Sequence, residues 1–280
     1  MRGILNVQKK RVLVLCKTYP SPSGKYTETS CVAGVTEDYD FIRLFPIPYR
    51  FLEKESQFKK WQWIEVECHK ADKDHRPESY SINKDNIVCD GEPLSSKKSW
   101  SERLKVISKL QKFTSFADIE KQQNEKNNSL ALLTGIELQK LEIRPTRNSS
   151  WTSDEMDKLL QNQRQAGLFD TTDNQVINLL EKVPFDFYYY YVCKKDGTTY
   201  KHKIVDWEIG AAYRSWKKRY GENWEAYLRK RFEEEFAKKD LMFLMGTIHR
   251  FPKQWLIISL IYPPKIAVSQ DEQSDLFRCI

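Results

Sequence analysis

Phe185-Asp-Phe-Tyr-Tyr-Tyr-Tyr-Val-Cys193, the turn Lys194-Lys-Asp-Gly197, and Thr198 to Val205 decide the fold class. Aromatic and β-branched residues favour strands, and Asp-Gly suits the backbone of a tight hairpin. The stretch therefore reads as the clearest hairpin in the chain. Asp206-Trp-Glu-Ile-Gly follows and opens a helix, with Asp206 as its N-cap. Ala211, Tyr213, Trp216, Tyr220, Trp224, Tyr227, Leu228, Phe232 and Phe236 continue at helical spacing, interrupted at Gly221. Leu241 to Met245 and Gln254 to Tyr262 read as two closing strands, which Pro263-Pro264 end.

Toward the N terminus the signal is again β. Arg11-Val-Leu-Val-Leu-Cys16 is a short apolar run, and the Pro, Ser and Gly of Lys17 to Tyr26 mark a loop. Thr29 to Val35 and Phe41 to Phe45 form a hairpin about Thr36-Glu-Asp-Tyr-Asp40. Trp61 to Cys68 alternates as a half-buried strand does. Between these regions Ser99 to Leu110 has helical spacing, with Ser99 and Glu102 set as a capping box. Ser149 to Gly167 is a second amphipathic stretch, and Asp170-Thr-Thr-Asp-Asn174 is a turn. No internal repeat is visible.

The expected class is α+β: an N-terminal small curved β-sheet or barrel, a helical middle, and a C-terminal hairpin, long helix and two strands. The expected regions are 1–97, 98–183, 184–266 packed with the N-terminal sheet, and a flexible tail over 267–280.

The 280 residues hold 46 Lys and Arg against 39 Asp and Glu, a net charge of +7, which favours phosphate-bearing or acidic partners. The 8 Trp, 14 Tyr and 14 Phe supply rings for a core and for stacking on planar ligands. No leader pattern is read at the N terminus, and the longest late apolar run, Trp255 to Tyr262, is only strand length. The expectation is a cytoplasmic protein with no membrane partner, whose six cysteines are thiols.

Two segments carry the nucleic-acid signal. The loop after Cys16 gathers Lys17, Thr18 and Lys25 with serines and a glycine, the groups that hold a phosphate, without the pattern of a nucleotide P-loop. Phe41 to Trp63 interleaves Arg43, Arg50 and Lys59 with Tyr49, Trp61 and Trp63. That interleaving makes either a stacking face or a strand with rings inside and charges outside. The candidate contacts for DNA or RNA are Lys17, Thr18, Lys25, Arg43, Tyr49, Arg50, Lys59, Trp61 and Trp63.

Candidates for catalysis are Cys31, as a nucleophile, and Asp206, Glu208 and His249, as acid–base groups. Asp206 and Glu208 equally suit the positive end of a helix with no chemistry. Cys68, His69, His75 and Cys89 match no zinc spacing, because adjacent Cys68 and His69 point to opposite faces of a strand. No metal and no cofactor is expected.

Leu15-Cys-Lys-Thr-Tyr-Pro20, Ile42-Arg-Leu-Phe-Pro-Ile-Pro-Tyr-Arg50, Asp206-Trp-Glu208, and Gly246-Thr with Trp255-Leu-Ile-Ile resemble an uncharacterised bacterial family. Its members are met among mobile-element, DNA-modification and phage-defence genes, and the resemblance runs from near residue 10 to about 265. It implies a nucleic-acid setting and carries no catalytic residue. The leading reading is a nucleic-acid-associated protein in DNA modification or phage defence. The alternatives are an enzyme acting on a nucleotide or modified base, and a non-catalytic partner subunit bound to another protein.

Overall fold

The computed structural model describes residues 6–160 and 179–265. Its first sheet is built from β1 (Gln8–Lys17), β2 (Ser21–Ser23), β3 (Thr27–Thr36), β4 (Phe41–Ile47), β5 (Trp63–Lys70), β6 (Ser79–Ile82) and β7 (Val88–Asp90). Five of these strands close a barrel along the path β1-β3-β4-β6-β5 and back to β1, with β2 and β7 added at the margins. Only the β4–β6 pairing is parallel within that ring. Alternate residues fill the interior: Val12, Val14, Val32, Ile42, Leu44, Ile64 and Val66 form one buried cluster. Gly34, paired with Val14, sits where the strands press closest. A Cβ there would lie 2.3 Å from the Leu13 carbonyl oxygen, so glycine alone fits.

The second sheet comprises β8 (Lys112–Phe113), β9 (Leu130–Leu133), β10 (Ile136–Pro145), β11 (Phe185–Cys193), β12 (Thr199–Ile204), β13 (Met242–Ile248) and β14 (Phe251–Ile261). Its path runs β10-β11-β12-β14-β13-β9-β8, with the two-residue β8 as an added margin. With β8 set aside, the path starts and ends on one run of chain, because β9 and β10 are separated only by Thr134 and Gly135. Gly135 adopts φ +64°, a left-handed turn that glycine makes without strain. The sheet curls into a second barrel, with Leu133, Leu141, Phe187, Tyr189, Tyr191, Phe243 and Ile257 in one buried cluster. Counting strands within each barrel, both follow the order 1-2-3-5-4-1 with the third and fifth parallel. The same topology therefore occurs twice without any visible repeat in sequence. Between its third and fourth strands the second barrel carries the helical segment, as α3 (Trp207–Tyr220) and α4 (Trp224–Arg229). Gly221, at φ +55°, breaks it where the sequence placed the interruption.

The outer side of the first barrel packs on the outer side of the second. Leu13, Leu15, Ala33 and Val35 share one buried cluster with Leu130, Leu132, Met242, Leu244 and Ile258. The alternation is strict on both sides: Val12 and Val14 face into the first barrel, and Ala131 and Phe243 face into the second. Burial of so many apolar side chains, each contributing about 1.5–3 kcal/mol when fully covered, binds the barrels into one unit. Helix α1 (Lys97–Lys109) closes one edge with Trp100, Val106 and Ile107.

The chain is thus α+β, with an N-terminal closed barrel, helices in the middle, and a C-terminal hairpin, long helical segment and two strands. α1 and α2 (Phe116–Lys126) lie in the middle region, together with β9 and β10, which the sequence reading passed over. The capping box is not formed. Lys98 to Trp100 have positive φ, and the Glu102 carboxylate accepts from the Ser95 amide instead. Asp170 to Asn174, the end of the Ser149 to Gly167 stretch and the tail from 267 lie outside the described residues.

Candidate functional site

The N-terminal candidates are largely drawn into packing. Arg43 is 4% exposed, and its Nη2 donates to the Ser129 carbonyl at 3.1 Å. Trp61 is 2% exposed and meets Trp100 edge-on. The Tyr49 hydroxyl donates to the Phe58 carbonyl at 2.7 Å, and Arg50 holds the buried Glu28 carboxylate through Nε and Nη2. The Lys17 ammonium lies 3.0 Å from the centre of the Tyr49 ring and 4.4 Å from that of Trp207. Burial lowers its pKa to about 7. The Thr18 hydroxyl accepts from the Cys31 amide, and Trp63 is half-buried beneath the Arg11 guanidinium. Lys25 and Lys59 alone of the nine are exposed. Of the two readings of this stretch, rings inside describes Trp61. Arg43 projects from the outer face, between the inward Ile42 and Leu44, and is buried because the second barrel covers its strand.

The catalytic candidates fall into three separate groups. The Cys31 thiol accepts from Arg43 Nη1 at 3.3 Å. Asp206, 2% exposed, caps α3 by accepting from the Glu208 amide, and its second oxygen accepts from the Leu260 amide. Lys60 lies 3.5 Å from Asp206 and 3.1 Å from Glu208. Burial pushes the Glu208 carboxyl up, against the pull of Lys60. His249 Nδ1 is 3.3 Å from Asp74 and far more exposed. Among the described residues no hydrogen bond or ion pair joins Cys31 or His249 to the Asp206–Glu208 pair, and no metal-binding cluster is found.

The open face belongs to the second barrel, on β10, β11 and β12. Phe187, Tyr189 and Tyr191 point inward, so Asp186, Tyr188 and Tyr190 point outward. Strand register lines them up in rows. Tyr190 stands between Lys140 and Lys201, Tyr188 between Glu142 and Lys203, and Asp186 beside Arg144. Lys201 lies 4.7 Å from the Tyr188 ring centre and 4.8 Å from that of Tyr190, with Lys140 4.6 Å from Tyr190. Arg144 is 5.5 Å from the Tyr188 ring centre. Glu142 pairs with Lys201 and Arg144, and Asp186 pairs with Lys203 at 2.7 Å. The Lys201 hydrogen bond holds the Glu142 carboxyl below its ordinary pKa. Four cations against two carboxylates leave the strip positive around two half-exposed rings. The hairpin is legible in the sequence, whereas its outer face is not. The signal was the period-two offset of Tyr188 and Tyr190 from the buried rings, matched across the turn by Lys201 and Lys203.

A five-stranded Greek-key barrel of this strand order is the OB fold, whose second and third strands and adjoining loops form its binding face. The chain follows that strand order in both of its sheets. It belongs to the family described as a domain of unknown function (DUF8757), whose model matches residues 112–280. Residues 8–109 match a second domain of unknown function (DUF8758). The two models part between α1 and β8. No curated protein matches the chain. It is similar in structure to a murine DNA-binding protein bound with double-stranded DNA, at 9% identity, covering 94% of this chain and 98% of that one with a TM-score of 0.32. It is also similar to a replication protein A heterotrimer bound to single-stranded DNA, at 8% identity, covering 98% and 69% with a TM-score of 0.28. Among the described residues no helix is long and apolar enough to cross a membrane.

Proposed function

We propose that the chain binds single-stranded nucleic acid across the outer face of its second barrel. The observation that supports this is the row structure: Tyr188 and Tyr190 project from alternate positions of β11, flanked in register by Lys203, Lys201 and Lys140. Rings two residues apart on a strand stand roughly 6.7 Å apart. Stacked bases rise only about 3.4 Å per nucleotide in a duplex, so neighbouring bases meet both rings only in an extended single strand. The cations now resting on the rings hold them weakly, at about 0.5–1 kcal/mol for an exposed pair. A stacked base is worth about 1–3 kcal/mol, so bases displace the ammonium groups, which turn to the phosphates. Four cations suit a polyanion rather than a neutral sugar.

The equivalent face of the first barrel is covered by the second, which leaves β11 and β12 as the accessible pair. A setting in DNA modification or phage defence rests on the sequence resemblance, and the fold adds nothing to it. The test is fluorescence anisotropy of a labelled thymidine 15-mer at low salt, repeated with single-stranded RNA. Binding that weakens in Tyr188→Ala and Tyr190→Ala is expected. No binding to either strand, or binding untouched in the double variant, overturns the reading.

A further inference from the structure

A pocket of about 150 Å³ opens at the end of the tyrosine strip, at the mouth of the second barrel. Tyr19, Trp151, Val183, Phe185 and Ile209 line it together with the charged Lys182, Asp186 and Asp206, and both Asp206 oxygens already accept backbone amides. Asp186 is the next outward residue after Tyr190 and Tyr188 along β11, so strip and pocket are continuous. An engineered cavity of about the same size holds one benzene ring, which sets the scale as a single planar ring. The walls suit such a ring, because Tyr19, Trp151 and Phe185 supply aromatic surface for offset or edge contacts.

The polar atoms of the walls are largely engaged. Trp151 Nε1 donates to the Leu180 carbonyl, the Tyr19 hydroxyl donates to the Glu181 carbonyl, and Lys182 donates to the Ser150 carbonyl. Asp186 differs. Lys203 holds its Oδ1, and among the described residues no hydrogen bond reaches its Oδ2. A carboxylate oxygen beside these aromatic walls can accept an N–H from the edge of a ring lying against them. That matches the exocyclic amino group of cytosine, which carboxylates read in nucleic acids.

We propose that this pocket receives one nucleobase of the bound strand, a terminal base with its amino edge on Asp186, while the preceding bases stack on Tyr188 and Tyr190. The inference rests on the single-strand reading above. It adds a site of a different kind, one that captures an end rather than an interior stretch.

The test is competition of unlabelled pentanucleotides against the labelled thymidine 15-mer. Four are needed: thymidine runs with cytosine at the 5′ or the 3′ end, and the same two with an abasic residue there. At one end only, cytosine should compete about tenfold better than its abasic counterpart. Val183→Trp, which fills the pocket, and Trp151→Ala, which removes a wall, should each reduce that preference below twofold. Both should leave binding of the 15-mer dependent on Tyr188 and Tyr190. Equal competition with and without the terminal base, or a preference that survives in both variants, overturns the pocket while leaving the strip intact. Failure of the wild-type protein to bind the 15-mer overturns the strip, and the pocket with it.

Discussion

Arg43 Nη2 donates to the Ser129 carbonyl oxygen at 3.1 Å, tying the third strand of the first barrel to the start of the second. Around this bond the Glu78 carboxylate accepts from the Ser129 amide at 2.7 Å and from its hydroxyl at 3.0 Å. A face that could otherwise hold a ligand is thereby closed by polar bonds at its rim and apolar packing behind.

Removing the guanidinium takes away a buried charge-assisted bond, worth about 1.5–3 kcal/mol, and leaves the Ser129 carbonyl only the Thr247 amide as donor. Arg43→Ala should therefore lower the urea midpoint by an amount equivalent to about 2–4 kcal/mol while strand binding at the second barrel persists. Equilibrium unfolding followed by tryptophan fluorescence measures it. An unchanged midpoint would show that the bond adds nothing to the interface.

The tyrosine strip makes a quantitative claim about salt. If Lys140, Arg144, Lys201 and Lys203 all meet phosphate, the slope of log K against log salt approaches about −3, at roughly −0.7 per contact with a single strand. Lys201→Gln should lessen that slope by about 0.7 and weaken every sequence alike. Tyr190→Ala should instead cost about 1–3 kcal/mol with the slope unchanged, since stacking releases no counterion. Titrations at four salt concentrations separate the two.

How much of this was legible follows from which forces act locally. The hairpin at Phe185 to Val205, the Asp206 cap and the break at Gly221 were readable because neighbours in sequence create them. The burial of Arg43 was not, because Ser129 and the second barrel cover its outer face from 86 residues away. β9 itself, Leu130-Ala-Leu-Leu, is buried on both sides and so shows no alternation to announce a strand. Tyr188 and Tyr190 sat in an unbroken run of four tyrosines. Composition treats the run as one feature, whereas the pleat divides it into two faces.

Lys17 carries a pH signature. Its folded pKa of about 7 lies below the ordinary 10.5 because burial disfavours the charge. Between those values the unfolded chain holds a proton that the folded chain has released, so this residue makes stability rise as pH climbs above 7. At lower pH both states are protonated, and the full cost of burying the ammonium is present. Lys17→Met should raise the unfolding midpoint at pH 6, and the gain should shrink by pH 9. A constant difference between variant and wild type across that range would mean that Lys17 keeps its proton.

Gly34 tests the packing of β1 on β3. An added methyl would lie 2.3 Å from the Leu13 oxygen and 2.8 Å from Val12 Cγ1, and backbone cannot yield as a side-chain tip does. Gly34→Ala should destabilise by about 1–3 kcal/mol, the usual range for overpacking, although alanine favours the strand more than glycine does. Thermal unfolding by circular dichroism reports it. A variant as stable as the wild type would place the strands further apart than described.

The cysteines give a footprint that separates the two barrels as ligand sites. Cys16 is buried, donates from Sγ to the Ile258 carbonyl, and has its thiol pKa pushed up by burial. Cys68 and Cys193 are buried as well, whereas Cys31 is partly exposed beside Arg43. Iodoacetamide on the native protein should therefore modify Cys31 well before Cys16, Cys68 or Cys193, as peptide mass mapping would show. Cys31 lies on the first barrel and the tyrosine strip on the second, so a saturating thymidine 15-mer should leave the rate at Cys31 unchanged. Protection of Cys31 by the strand would move the binding site onto the first barrel, to the loop from Lys17 to Lys25.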